Sequence, residues 1–310
     1  EDPTLRSAFE RNNFRMFRNM FTEAAPTTYS LHSLLALEGD YLRKTYLSIE
    51  GSKTRPLIPG ILPSPLYEIF KHNGYETNFS YESSFFGENA GPYVDHYRYN
   101  EAFSVCTFME PYKTAFAFFG ACRFHDQPWW RDAGKIPGKD IDFLIANMTE
   151  VSRREKPQFY LAHIAPLEHT DGGFTGTAAE LEAFRLYYAN LAAEAASNLN
   201  RIVEFVKKND PEALLFVFGD HGIWISRPIS FQQDKTFFIQ DRYAVMGGFY
   251  PKEACASSFD KPISPDFVTT PQVARMVIRC LSGGIDAFDA SYVHKNYQYP
   301  EEHLEDYIYE

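Results

Sequence analysis

The chain is short of everything that marks a membrane span, a nucleic-acid binder or a zinc ribbon. No apolar run in its 310 residues approaches the length needed to cross a bilayer, and no signal-peptide pattern opens it. The first residue is not Met, so the expectation is a mature product or an excised domain, with any membrane span upstream of residue 1. Positive charge is in deficit: 30 Lys and Arg against 41 Asp and Glu leave a net charge of −11. That argues against a nucleic-acid partner, which needs a basic face, and leaves room only for a local basic pocket around one phosphate. The four cysteines (Cys106, Cys122, Cys255, Cys280) show no Cys-x-x-Cys spacing, which disfavours a zinc ribbon and leaves one or two disulfides open. Repeats and low-complexity segments are absent, so the chain reads as globular.

What is present supports a sizeable core. Hydrophobic residues make up 45%, and aromatics, with 28 Phe and 20 Tyr, 16%. That suffices for one large α/β domain or two modest ones. Most of the aromatic side chains belong in the core, with some available to line a lipid or sugar site.

Residues 3–20 carry Leu5, Phe9, Phe14 and Phe17 among charges and read as one or two short helices. Leu31, Leu34 and Leu35 lie at helical spacing in 28–37, with the Thr27-Thr28 hydroxyls available for capping. Residues 51–65 hold four prolines and read as a loop. The stretch 66–72 is a short helix stopped by Asn73-Gly74, and 75–81 a strand. Residues 85–100 are polar and irregular. An amphipathic helix at 139–152 precedes an apolar strand at 158–164, and the longest helical pattern, 178–208, ends in Lys207-Lys208. A strand candidate at 243–250 and a helix at 272–281, capped by Gly283-Gly284, follow. Strands alternating with helices predict a three-layer α/β sandwich with a mainly parallel sheet. Residues 1–286 then form one domain, and 287–310 a Tyr-rich polar tail.

Chemistry concentrates at the ends of these elements. The apolar run Leu214-Leu215-Phe216-Val217-Phe218 stops abruptly in Gly219-Asp220-His221-Gly222. The run reads as a strand buried on both faces, and the C-terminal edge of such a sheet is where ligands bind. A carboxylate beside an imidazole there makes a pair of divalent-metal ligands, and the flanking glycines let the backbone turn closely around an ion. Thr27-Thr28, taken alone, is a plain helix cap; at a helix N-terminus it also faces the free N–H groups and dipole that favour an anion. A hydroxyl placed there can attack phosphorus or sulfur when a metal lowers its pKa. His163 and His169, with Glu168 and Asp171 nearby, follow a strand and are candidates to bind a metal or contact an oxyanion.

In order and spacing these motifs resemble the alkaline phosphatase superfamily in its sulfatase-like branch, over about residues 3–285. The stretch from Phe21 to Leu35 resembles the nucleophile segment, with Thr27 as nucleophile and Ser30 three residues on; Thr28 is the alternative register. Leu66 to Thr77, ending Gly74-Tyr75-Glu76-Thr77, resembles the family's Leu…Gly-Tyr-x-Thr stretch. Residues 159–163 with His169 resemble its strand and substrate-binding His, and Phe218 to Gly222 its metal-binding Asp-His-Gly. The family's first strand, which brings an acidic metal ligand, is expected upstream of residue 1.

The resemblance implies a metal-dependent phosphoryl-group transferase acting through a phospho-threonine intermediate. Thr27, Asp220 and His221 would bind a divalent ion, Zn or Mn first and Mg or Ca as alternatives, with Asp234 or Asp241 as further ligands. His169 would contact the phosphoryl oxygens or protonate the leaving group, and Ser30, His163 and Lys235 would bind substrate. Threonine in place of an oxidisable cysteine favours moving phosphoethanolamine or phosphoglycerol from a phospholipid to a glycan or lipid, outside the cytoplasm. A phosphodiesterase or sulfatase-like hydrolase, and a catalytically degenerate glycan-binding domain, are the alternatives.

Overall fold

The computed structural model of the chain describes residues 3–17, 19–22, 27–37, 64–81, 94–99, 139–164, 177–222, 243–255 and 268–284. They fall into two compact units, one of Glu1–Pro56, Ser64–Asn73 and Leu167–Glu310, the other of Leu57–Pro63 and Gly74–Pro166. The boundary read at 286 lies outside the described residues. None of the described helices is long and apolar enough to cross a membrane.

In the first unit, helix α1 (Pro3–Arg11) opens on a proline, which fits a first turn whose N–H groups have no helical partner. It ends at Asn12 and Asn13, the latter in the left-handed region at φ 62°. Asn12 Nδ2 donates to Ala8 O and to Asn200 Oδ1 (2.6 Å), which ties α1 to helix α5 (Ala178–Asn209). The expectation of helix through residue 20 is therefore corrected: after α1 the chain is extended, as β1 (Arg15–Met16) and β2 (Met20–Phe21). Phe14 and Phe17 alternate with charges closely enough to mimic a helical stripe, and the sheet partners decide the outcome.

Those partners are β8 (Gly247–Tyr250) and β7 (Ala244–Val245), both antiparallel. Met16 pairs with Gly248 and Met20 with Val245. The first strand thus advances four residues while its partner advances three, which is a bulge, with Asn19 at φ 48°. Phe17 N–H donates to Gly247 O and Thr22 N–H to Tyr243 O, so the pairing runs on across the bulge. On the far side of β8 lies β6 (Leu215–Phe218), antiparallel to it, and beside β2 lies β9 (Val268–Thr269), parallel to it. These pairs form a row of two three-stranded sheets, β6-β8-β1 and β7-β2-β9, consecutive along β7–β8 and across the bulge, with β6, β1, β2 and β9 running one way and β7 and β8 the other.

The core on this row is Met20, Phe249, Val268, Val273 and Met276, the last two from helix α6 (Thr270–Gly284). Close approach explains two glycines: a Cβ at Gly247 would sit 2.2 Å from Met20 Sδ, and one at Gly248 2.8 Å from Phe9 Cδ1. A disulfide joins Cys255 to Cys280 on α6.

Helix α2 (Thr27–Ala36) buries Leu31, Leu34 and Leu35. Leu37 follows at φ 57° and closes its C-terminus. The last carbonyls do not go begging: the Arg275 guanidinium donates to Leu37 O, and Ser64 Oγ to Leu35 O. Ser64 is also the N-cap of α3 (Pro65–His72), accepting from Tyr67 N–H. Asn73 and the left-handed Gly74 (φ 81°) end α3 as the sequence predicts.

The second unit holds β3 (Glu76–Tyr81) between β4 (His96–Tyr99) and β5 (Gln158–Ala162), all parallel, with helix α4 (Lys139–Val151). Residues 96–99, read as irregular, are a strand; its His, Arg and two Tyr carry no apolar run to announce it. One side of β3 is polar. Asn78 Nδ2 donates to Gln158 Oε1, Ser80 Oγ shares a 2.7 Å bond with Tyr160 OH, and Asn147 of α4 donates to Ser80. Arg98 bonds Asn147 and Glu150, and Arg154 bridges Glu150 and Glu76. Burial pushes the Tyr160 hydroxyl up to about 12. On the other side Phe79 stacks on Tyr97 and Tyr81 on His163.

The described strands thus form an α/β fold of small sheets, parallel in the second unit and mixed in the first. A mainly parallel sheet is corrected for the first unit, because β7–β8 enters antiparallel between β6 and β1–β2. An apolar run carries no mark of strand direction, which the connections and neighbours set.

Candidate functional site

The site begins where β6 ends. Gly219 N–H donates to Met246 O and extends the β6 pairing by one residue, after which Asp220 and His221 leave the sheet. The His221 side chain is 4% exposed and that of Asp220 23%. His221 Nδ1 lies 2.9 Å from Gly222 O. A carbonyl oxygen only accepts, so Nδ1 carries the proton in this contact. His221 Nε2 lies 3.5 Å from Asp220 Oδ2. A carboxylate oxygen and a ring nitrogen so placed are donors that a divalent cation can share, and a histidine whose other ring nitrogen is tied to a carbonyl is oriented as metal ligands are.

The second part is the start of α2. β2 runs antiparallel to β7 and β6 antiparallel to β8, the continuation of β7, so both run in the same direction and their C-terminal ends lie on one edge of the row. The chain leaves β2 through Thr22 and enters α2 at Thr27. The first-turn backbone of α2, with its free N–H groups and positive dipole end, therefore starts from the same edge as Asp220 and His221. β9 ends on this edge too and leads into α6.

The other candidates divide. Thr28 shares the first turn of α2 with Thr27, so the helix start accommodates either register. The side chains of Thr27 and Thr28 lie outside the described residues, as do His169, Glu168, Asp171, Lys235, Asp234 and Asp241. His163 sits at the end of β5 in the second unit, its N–H donating to Ser80 O. Ser30 has a different place from that of a substrate contact: it is 1% exposed, with its hydroxyl 2.7 Å from Thr22 Oγ1. Packing of the Leu31 and Leu34 face inward carries Ser30 with it.

Sequence reasoning missed Thr22 and Arg275. Nothing local distinguishes a threonine at the end of a two-residue strand, or an arginine within an amphipathic helix; both acquire roles only from α2. Among the described residues no three His, Cys, Asp or Glu side chains come together as a complete metal cage. Asp220 and His221 are two donors of the right chemistry for a partly hard, nitrogen-accepting divalent ion.

No family model matches the sequence, and a search of curated proteins finds no match. Solved structures do match. The C-terminal periplasmic domain of EptC from Escherichia coli, in complex with Zn, is 15% identical with a TM-score of 0.54, over 96% of this chain and 81% of that one. The C-terminal periplasmic domain of phosphoethanolamine transferase EptC from Campylobacter jejuni is 11% identical with a TM-score of 0.53, over 93% of this chain and 84% of that one. A phosphonate monoester hydrolase of Agrobacterium radiobacter is 12% identical with a TM-score of 0.55, over 91% of this chain and 69% of that one.

Proposed function

We propose that this chain, which has the alkaline phosphatase superfamily fold in its sulfatase-like form, is a metal-dependent phosphoryl-group transferase. The observation that carries the reading is His221 Nε2 set 3.5 Å from Asp220 Oδ2, with Nδ1 tied to the Gly222 carbonyl, on the sheet edge from which α2 starts. Asp220 and His221 would hold a divalent ion, Zn or Mn in view of the mixed nitrogen and oxygen donors, with Thr27 completing the site. When bound, such an ion supplies charge stabilisation to the transferring oxygens and lowers the nucleophile's pKa.

Thr27 gives up its hydroxyl proton to solvent, and its Oγ attacks the phosphorus of a phosphodiester. Its bond to phosphorus forms as the bond to the leaving alkoxide breaks, and His169 gives that alkoxide a proton. The N–H groups of the α2 first turn favour the anionic group now on Thr27. An acceptor hydroxyl then attacks the same phosphorus, returning its proton to His169, and Thr27 Oγ leaves and takes a proton from solvent. His163 and Lys235 are the proposed substrate contacts. The donor class is a phospholipid carrying a phosphoethanolamine or phosphoglycerol head, and the acceptor a glycan or lipid. The Cys255–Cys280 disulfide supports a location outside the cytoplasm, where such bonds persist. The match to a phosphonate monoester hydrolase favours a second reading, with water as acceptor; turnover of a soluble diester without added acceptor identifies it.

The test is peptide mass spectrometry of the full-length protein after incubation with phosphatidylethanolamine or phosphatidylglycerol vesicles and Zn²⁺ or Mn²⁺. The expected result is a covalent adduct on Thr27 whose mass names the transferred group. An unmodified peptide under every condition, with no product formed, removes the reading.

A further inference from the structure

The Thr22–Ser30 pair takes no part in the chemistry above. Thr22 is fully buried and Ser30 nearly so, and a buried hydroxyl costs free energy unless it is paired. Their oxygens lie 2.7 Å apart. Thr22 is itself anchored in the sheet, its N–H donating to Tyr243 O at 2.8 Å. Ser30 is the fourth residue of α2, one turn beyond Thr27. The hydrogen bond therefore fastens the first turn of α2 to the strand whose neighbour, β7, also borders the β6 end that carries Asp220 and His221. At the other end, Arg275 and Ser64 hold the Leu37 and Leu35 carbonyls. Helix ends are where a helix opens first, and α2 is held at both.

We propose that Thr22 and Ser30 are positioning residues for the reaction: their hydrogen bond sets the place of the Thr27 backbone relative to Asp220 and His221. This rests on the assignment of Thr27 as nucleophile. A shift of about 1 Å in a reacting group costs roughly a hundredfold in rate, so a latch one turn away is enough to govern turnover without touching substrate.

The experiment uses the full-length protein with Zn²⁺ and bis(4-nitrophenyl) phosphate, together with hydrogen exchange. Thr22→Val keeps the side-chain shape and removes the hydroxyl; Ser30→Ala removes the partner; Thr22→Ser restores the hydroxyl. Thr22→Val and Ser30→Ala each lower kcat roughly tenfold to a hundredfold with KM within about twofold, by the displacement argument above. Thr22→Ser retains kcat, and the double variant loses no more than the worse single one. The amides of Leu31, His32 and Ser33, which bond back to the first-turn carbonyls, exchange about tenfold faster or more in Thr22→Val, while those of α6 do not change. A Thr22→Val kcat equal to wild type, additive losses, or unchanged exchange at 31–33 overturns the proposal. Wild-type protein that fails to turn over the diester and forms no adduct removes the Thr27 assignment and the catalytic role with it; the exchange data then decide the latch separately.

Discussion

Replacing Cys255 and Cys280 by alanine opens a loop whose ends are 25 residues apart in sequence. In the chain-entropy description, a cross-link over that separation removes about 3.5 kcal/mol worth of disorder from the unfolded chain at 25 °C. The bond joins the turn after β8 to the outer part of α6, and Cys255 packs against the core of Met20, Phe249, Val273 and Met276. Little of that packing leaves with two sulfur atoms, so the loop term dominates. A loss of this size lowers the melting temperature of a 310-residue chain by roughly 5 °C. Urea unfolding at pH 7 followed by circular dichroism reads it directly. Each single variant breaks the same bond, so Cys255→Ala and Cys280→Ala should each cost nearly as much as the pair together. A double variant within about 1 kcal/mol of wild type, or single losses that sum to the double, would refute the reasoning.

Gly247→Ala forces a methyl group against Met20 Sδ and should cost about 1–3 kcal/mol; in a Met20→Ala background the same change should cost less, with only the 3.3 Å approach to Phe218 Cβ left, as a double-mutant cycle in urea will show. Hydrogen bonds from Gln158 and Arg154 hold the Glu76 carboxyl below its ordinary value, and those from Arg98 and Arg154 do the same for Glu150. A lowered carboxylate contributes stability above the unfolded value of 4.5 and loses it as pH falls through the folded one. The urea midpoint should therefore drop below that pH, with a shallower drop in Glu76→Gln and Glu150→Gln. Asp220→Asn should weaken Zn²⁺ binding at least tenfold by calorimetry, leaving the melting temperature of the metal-free protein within about 2 °C. Thr27→Ala should abolish transfer while Thr28→Ala does not; full activity in Thr27→Ala would move the nucleophile.

Much of the secondary structure was legible because its signals are local. Asn73-Gly74 ends α3 through a left-handed backbone that glycine adopts freely, and the α5 pattern sustains its period over many turns. The Asp220-His221 pair was legible because an apolar run that stops in Gly-Asp-His-Gly must deliver those side chains to a strand end. Residues 15–21 and 96–99 were not legible as strands. Arg15–Met16 and His96–Tyr99 are short, carry charge, and become strands by pairing with segments distant in sequence.

By itself, then, the sequence determined which side chains stand at the ends of which elements, since periodicity, caps and glycine turns act within a few residues. Only the tertiary structure decided that β6 and β2 point the same way, each antiparallel to its part of β7–β8, so that Asp220, His221 and the start of α2 share one edge. Only it placed Ser30, expected from the sequence to bind substrate, as a buried partner of Thr22. Strand direction and burial follow from the free energy of packing the whole core and pairing every buried polar group, and no local stretch of residues carries that sum.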